Sequence, residues 1–416
     1  MPHGPQMALS PDHSISEREF VVLAALLQAL QALAIDAMLP AMGEIARDLG
    51  ARGPNDRQFI IGAFLIGAGL GSLIPGILAD RFGRRPVLFA CLTAYCALNL
   101  ACALAQDFTT LITLRTLTGF CTAGMTVLPA AMIRDRFEGD RMARLQSLVS
   151  MVFMIVPVIA PTLGQGVLLV AGWRWIFGMM AAMSALLLLW SFLRLEESLP
   201  VGVRQPIGAA KVLGNMREII TNRESIGYVL AMASTTAMFF NFLSSSEQLI
   251  AEHFGAGARF PMLFGLLALG LAVANFTNSR LVMRFGARRL SHTALFAYIA
   301  IGSLQVISAL SPHQPLWQFI VLMALNMCLS GFISANFSAI AMQPFSHLAG
   351  SAASVLAFLR MVIGAVGGVL VGLTFDGTAR PLAVTILLAG LLALALVLFS
   401  ERGRLFRRLN YPPAEI

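Results

Sequence analysis

The sequence predicts an all-α polytopic membrane protein, with twelve transmembrane helices in two pseudo-symmetric six-helix bundles. Three observations predict it. The 416 residues are 57% hydrophobic and 12% charged, with a mean hydropathy of +0.78, far too apolar for a soluble globular chain. The apolar runs are continuous over about 20 residues, the length of helix that crosses hydrocarbon, and lack the every-second-residue alternation of a barrel strand. Short turns of Arg, Gly and Pro punctuate them, most abruptly in Gly76-Ile-Leu-Ala-Asp-Arg-Phe-Gly-Arg-Arg-Pro-Val-Leu88.

Taken in order, the spans are expected at roughly 20–40, 58–79, 86–105, 109–132, 146–170, 174–194, 225–248, 260–281, 291–310, 316–342, 352–374 and 381–400. The stretch before Phe20 is polar and the apolar run that follows is too long for a signal-peptide core, so the first span is expected to act as its own insertion signal. With twelve spans both termini lie on one side. That side then holds 21 of the 29 basic residues; six fall outside (Arg47, Arg52, Arg57, Arg174, Arg259, Arg380) and two within spans, Arg115 and Arg360. The asymmetry makes the side of the termini cytoplasmic. The polar stretch 196–223 separates the halves, so the chain divides into a tail (1–19), a first bundle (20–195), a cytoplasmic linker (196–223), a second bundle (224–400) and a C-terminal tail (401–416). Weak internal similarity supports a duplicated unit: Arg81-Phe-Gly-Arg-Arg85 returns as Arg284-Phe-Gly-Ala-Arg288, and Thr118-Gly-Phe120 as Ser330-Gly-Phe332.

The turn after the second span, with Gly76, Leu78, Ala79, Asp80, Arg81, Gly83, Arg84 and Arg85, resembles the signature loop of the major facilitator superfamily. The resemblance implies that Asp80 and the Arg residues after it clasp the opposing half when the cytoplasmic side is closed. The second-half copy has Met283 in place of Asp80, so only the first loop carries the acid. In the fifth span Pro157-Val-Ile-Ala-Pro161-Thr-Leu-Gly164 places two ladder-breaking residues on one face and resembles the Pro/Gly motif of the superfamily's antiporters. These positions (Gly76, Asp80, Arg81, Gly83, Arg84, Arg85, Pro157, Pro161, Gly164) form the expected gating set. The eleventh span carries Gly364, Gly367, Gly368 and Gly372 instead.

Charges inside the membrane point to the transported species. Asp36, in Ala34-Ile-Asp-Ala-Met-Leu-Pro-Ala41, lies late in the first span, where a buried carboxylate costs several kcal/mol unless paired, hydrated or protonated. Arg115 enters from the same surface in the fourth span, and the shared depth makes the two expected partners. Arg115 followed four residues on by Gly119 resembles a superfamily motif associated with proton coupling. Asp36 followed by Leu-Pro-Ala resembles the first span of the bicyclomycin/chloramphenicol-resistance type of drug:proton antiporter, in which a Tyr is common where Met38 stands here. Arg360, about nine residues into the eleventh span, departs from the Gln of those relatives. It is expected either to pair with an acid or to give the pocket a positive charge that favours neutral or anionic cargo. Gln28 shares a face with Asp36, and with Met38, Asn241, Asn336 and Arg360 completes the candidate substrate contacts, although Asn residues in spans also suit interhelical hydrogen bonds.

The formal charge of +8 does not indicate nucleic acid, because the basic residues are scattered along the chain without aromatic interleaving. The five Cys have no metal or redox spacing, and the six His are dispersed near loops and ends, so neither a metal site nor a nucleophile–base pair is expected. The resemblance therefore implies a proton-coupled antiporter that exports small amphipathic compounds, as in multidrug efflux and antibiotic resistance. It is expected to work as a monomer in the inner membrane, with a small-molecule substrate and lipid as partners and no cofactor beyond the coupling proton. The alternative is a symporter or exporter of one specific metabolite, including an anionic one.

Overall fold

The computed structural model describes residues 15–137, 139–199, 209–311 and 313–406. The expected tails and linker are therefore visible only in part, with residues 1–14, 200–208 and 407–416 outside the described residues. In chain order the helices are α1 (Glu17–Asp36), the short α2 (Met42–Asp48), α3 (Phe59–Gly71), α4 (Ile74–Phe82), α5 (Arg84–Ala103), α6 (Phe108–Arg136), α7 (Gly139–Ala171) and α8 (Arg174–Arg194). After α9 (Ala209–Thr221) in the linker come α10 (Arg223–Glu247), α11 (Phe260–Phe285), α12 (Ala287–Leu310), α13 (Leu316–Met342), α14 (Ala349–Gly372) and α15 (Arg380–Ser400). Among the described residues ten helices are long and apolar enough to cross a membrane, and the bent pair α3–α4 makes an eleventh. At the position of the expected fifth span, α7 contributes a shorter apolar stretch, Ile155–Ala171.

Local chemistry sets the ends. Ser16 accepts a hydrogen bond from the Glu19 amide at 3.2 Å, Asp107 from Thr110 at 2.8 Å and Asn222 from Ser225 at 3.0 Å, each side chain taking an amide left free in the first turn of α1, α6 or α10. Two expected spans change shape. The first ends at Asp36 instead of residue 40, because Pro40 restricts Leu39 and starts a separate 3-10 turn, Leu39–Ala41. The second breaks between α3 and α4 with a 41° bend, where Pro75 has no amide to continue the ladder.

The repeat is visible in backbone geometry. Gly83 (φ 101°) joins α4 to α5, and Gly286 (φ 81°) joins α11 to α12 at the matching place in the second half, a region of conformational space that costs Gly little. The two halves meet along α3 against α14 and α7 against α11. A Cβ on Gly62 would overlap Val369, and one on Gly69 would lie 2.7 Å from Val362, so the Gly residues of α3 let the halves close tightly. On its other side α14 lies against α10, where a Cβ on Gly368 would come within 3.0 Å of the Ala237 carbonyl oxygen.

Candidate functional site

The end of the molecule bearing the α4–α5 and α11–α12 turns is strongly basic, and each half ties down its own charges there. Arg84 binds Asp80 at 2.7 Å and Asp135 at 3.0 Å, while the Glu197 carboxylate accepts the amides of Arg84 and Arg85 at the start of α5. Arg85 donates to the Phe192 carbonyl and stacks on Phe89 and Phe192, and Arg81 lies over Phe82. In the second half, Met283 is exposed in the place of Asp80. Acids from other helices take over: Arg288 binds Glu224 and Glu401, and Tyr228 donates to Glu401 at 2.7 Å. At this end every ion pair among the described residues stays within one half, so Asp80 here grips its own loop and not the opposing bundle.

At the opposite end the halves are bolted together. Arg57, 7% exposed at its side chain, binds Glu247 and Glu252 of the other half, each at 2.8 Å. Beside it Gln58 donates to the Gly372 carbonyl at 2.8 Å, and Asn55 donates to the carbonyls of Leu373 and Phe375 at 3.1 and 2.9 Å. The two Arg57 contacts are the ion pairs that cross between halves among the described residues. The sequence shows Arg57 only as one of six arginines on that side. Its partners lie 190 and 195 residues further along the chain, a pairing no local pattern reveals.

Within the bilayer, Arg115 and Asp36 are not the ion pair expected. Arg115 is fully buried in α6; its Nε donates to the Ile60 carbonyl at 3.1 Å and its Nη2 to the Ala34 carbonyl at 3.0 Å. Its guanidinium carbon stands 4.4 Å from the Phe64 ring centroid, and its Nη1 is buried without a partner. The Ala34 carbonyl lies in the last turn of α1, where helix carbonyls lack internal donors, so Arg115 satisfies the backbone instead of the carboxylate two residues on. Asp36 is 5% exposed, and its carboxyl group makes no hydrogen bond or ion pair with the described residues. Immediately after it, the Ala37 carbonyl fills the space a Cβ on Gly164 would need, which brings the Pro/Gly stretch of α7 directly onto the end of α1. Pro157 and Pro161 both lie inside the continuous α7. Gly119, four residues after Arg115, sits against α3 so closely that a Cβ would overlap the Phe64 carbonyl; the same face of α6 thus carries the anchor and the close approach.

The remaining candidates separate. Gln28 is half-buried on α1 and Met38 wholly buried just beyond it. Asn241 is buried with its backbone against Gly368 of α14. Asn336 donates to Asn278 at 2.7 Å and to the Phe332 carbonyl at 2.8 Å, which engages it between α13 and α11. Gly76 borders Val127 of α6. Arg360, twelfth of the 24 residues of α14, lines a cavity of about 290 Å³ with Met232, Ser334, Ser338, Met342 and Leu356 among its neighbours. No cluster of three or more His, Cys, Asp or Glu among the described residues is placed to hold a metal ion.

The architecture is one of paired bundles, with a signature turn repeated at the start of α5 and α12. The Major Facilitator Superfamily model matches residues 24–368, and the chain belongs to that family. It is 30% identical over 381 residues to an uncharacterized MFS-type transporter, YdgK, of Bacillus subtilis (strain 168), covering 89% of this chain and 93% of the relative. It is 26% identical to a bicyclomycin resistance protein homolog of Haemophilus influenzae, over 88% of this chain and 92% of that one. Among solved structures it resembles the partially occluded inward open conformation of the xylose transporter XylE from E. coli, with TM-score 0.70, 13% identity, 93% of this chain and 97% of that chain. The protein is thus a multi-pass membrane transporter of small molecules and not an enzyme.

Proposed function

We propose that this transporter is a proton-coupled antiporter that exports small amphipathic compounds from the cytoplasm by alternating access. It would lie in the inner membrane with the basic end, and both termini, cytoplasmic. The observation that carries the reading is Asp36: a carboxyl group almost fully buried, unpaired, and set between the Arg115 anchor of α6 and the Pro/Gly stretch of α7. A proton on Asp36 removes the charge that would draw the unbonded Nη1 of Arg115; its loss restores that attraction and pulls on the end of α1, and with it on α7. The bicyclomycin resistance relative supports drug-like cargo.

The separation of the two ends supports an inward-facing state, since the Arg57 latch holds one end while the charges of the other stay within each half. The expected test result is that, in proteoliposomes with a pH-sensitive dye inside, chloramphenicol-like compounds evoke proton flux through the native protein and none through Asp36→Asn. Native-like flux through a folded Asp36→Asn would remove Asp36 from the coupling path.

A further inference from the structure

Arg360 lies near the middle of α14, roughly 16 Å along the helix from its start at 1.5 Å per residue, where an uncompensated guanidinium is costly. Neither acid nor carbonyl answers it: among the described residues it has no hydrogen-bond or ion-pair partner. It is half-buried and faces the cavity of about 290 Å³ lined by α10, α13 and α14. Two further donors face the same space. Ser334 and Ser338, one turn apart on α13, are half-buried cavity residues whose hydroxyls bond to nothing among the described residues, whereas Ser330 a turn earlier donates to the Met327 carbonyl at 2.8 Å. The rest of the wall is apolar and pliable, with the Met232 and Met342 thioethers and Leu356. Among the described residues no carboxylate lines it.

We infer that this cavity binds the anionic head of an amphipathic substrate, a carboxylate or sulfonate taken by Arg360 and the Ser334 and Ser338 hydroxyls, with its apolar body against the Met residues. The inference rests on the reading of the chain as a transporter of small amphipathic molecules and adds to the neutral, chloramphenicol-like cargo a class with an anionic head, which this cavity prefers. A planar guanidinium with adjacent hydroxyl donors matches the two acceptor oxygens of such a head, and the low surrounding polarity strengthens each bond. A cationic head would meet the guanidinium with like charge, and a neutral amide would leave its charge unmatched. The volume is at the small end for ligand pockets, suited to a head group and the first part of its chain.

The test is equilibrium dialysis of the purified full-length protein, without any gradient, against radiolabelled phenylbutyrate, phenylbutanamide and phenylbutylamine, which share one body. The native protein is expected to retain phenylbutyrate at least about tenfold more tightly than the amide or the amine, the scale of a hydrogen bond to a charged group. Arg360→Gln is expected to bring phenylbutyrate to the level of the amide, Arg360→Lys to keep most of the preference, and the double Ser334→Ala, Ser338→Ala variant to reduce it several-fold. Equal retention of the three, retention of none, or a carboxylate preference that survives in Arg360→Gln of native melting temperature overturns the inference. Where Arg360→Gln does not fold, an unchanged preference in the double serine variant overturns it equally. Binding without a gradient is independent of proton flux, so a failure here leaves the antiport reading intact, and a failure of Asp36-dependent flux leaves this result intact.

Discussion

Replacing Arg57 with Ala is expected to unfasten the end at which the two halves meet. In the present conformation Arg57 is buried between Glu247 and Glu252, with Glu247 itself only 15% exposed at its side chain. Removing one partner of a buried pair costs about 3–5 kcal/mol, because the remaining charge is left uncompensated. The cost falls on the closed arrangement alone, since both acids regain water when the ends part. A difference of about 3 kcal/mol shifts a two-state equilibrium more than a hundredfold. Spin labels at Arg52 and Thr374, exposed on opposite sides of the latch, should then report a long-distance population that the native protein lacks. Glu252→Gln should shift far less, because Glu252 is 54% exposed and its pairing is screened by water. An unchanged distance distribution in Arg57→Ala would show that the hydrogen bonds of Gln58 and Asn55 hold this end by themselves.

The second large effect is expected at Gly119. A Cβ there would overlap the Phe64 carbonyl of α3, and one on Gly67 would overlap the Thr116 carbonyl of α6, so the two helices cross with each Gly beneath the other's backbone. Overpacking a core costs about 1–3 kcal/mol when side chains can yield. Here the obstacle is backbone on both sides, and the same seam carries the Arg115 bond to Ile60. Gly119→Val should therefore exceed that range, lowering the melting temperature of the purified protein sharply and displacing Arg115 from α1 and α3. Gly166→Ala is the matched control, because a Cβ at Gly166 meets nothing within 4 Å. It should be neutral or slightly stabilising, as Ala favours helix. A Gly119→Val protein that melts like the native one would mean that α3 and α6 separate without cost.

How much of this was legible beforehand follows from the range of each interaction. Continuous apolar runs announce membrane helices whatever they pack against, and Gly83 and Gly286 mark their turns by local conformation, so the bundles and the repeat were readable. Helix rotation is not local. Asp36 and Arg115 share a depth, yet packing turned Arg115 onto the Ala34 carbonyl, and depth alone could not distinguish a carboxylate from a backbone oxygen two residues away. Asn336 was a candidate contact by polarity; its engagement with Asn278, 58 residues earlier in the chain, became visible only when α11 and α13 were placed together. The Met283 substitution removes an acid from the second loop, but Glu224 and Glu401 supply Arg288 from the starts and ends of other helices. Arg360 was readable as an anomaly because a charge at that depth is rare in any sequence.

In the proposed cycle cargo and protons move in opposite directions through one alternating site. The most direct measurement loads proteoliposomes with acidic buffer, places them in alkaline medium with radiolabelled chloramphenicol, and then exchanges the two buffers. Accumulation of the drug inside is expected in the first arrangement, release in the second, and neither with Asp36→Asn. Accumulation driven by an alkaline interior, or uptake indifferent to the gradient, would contradict it.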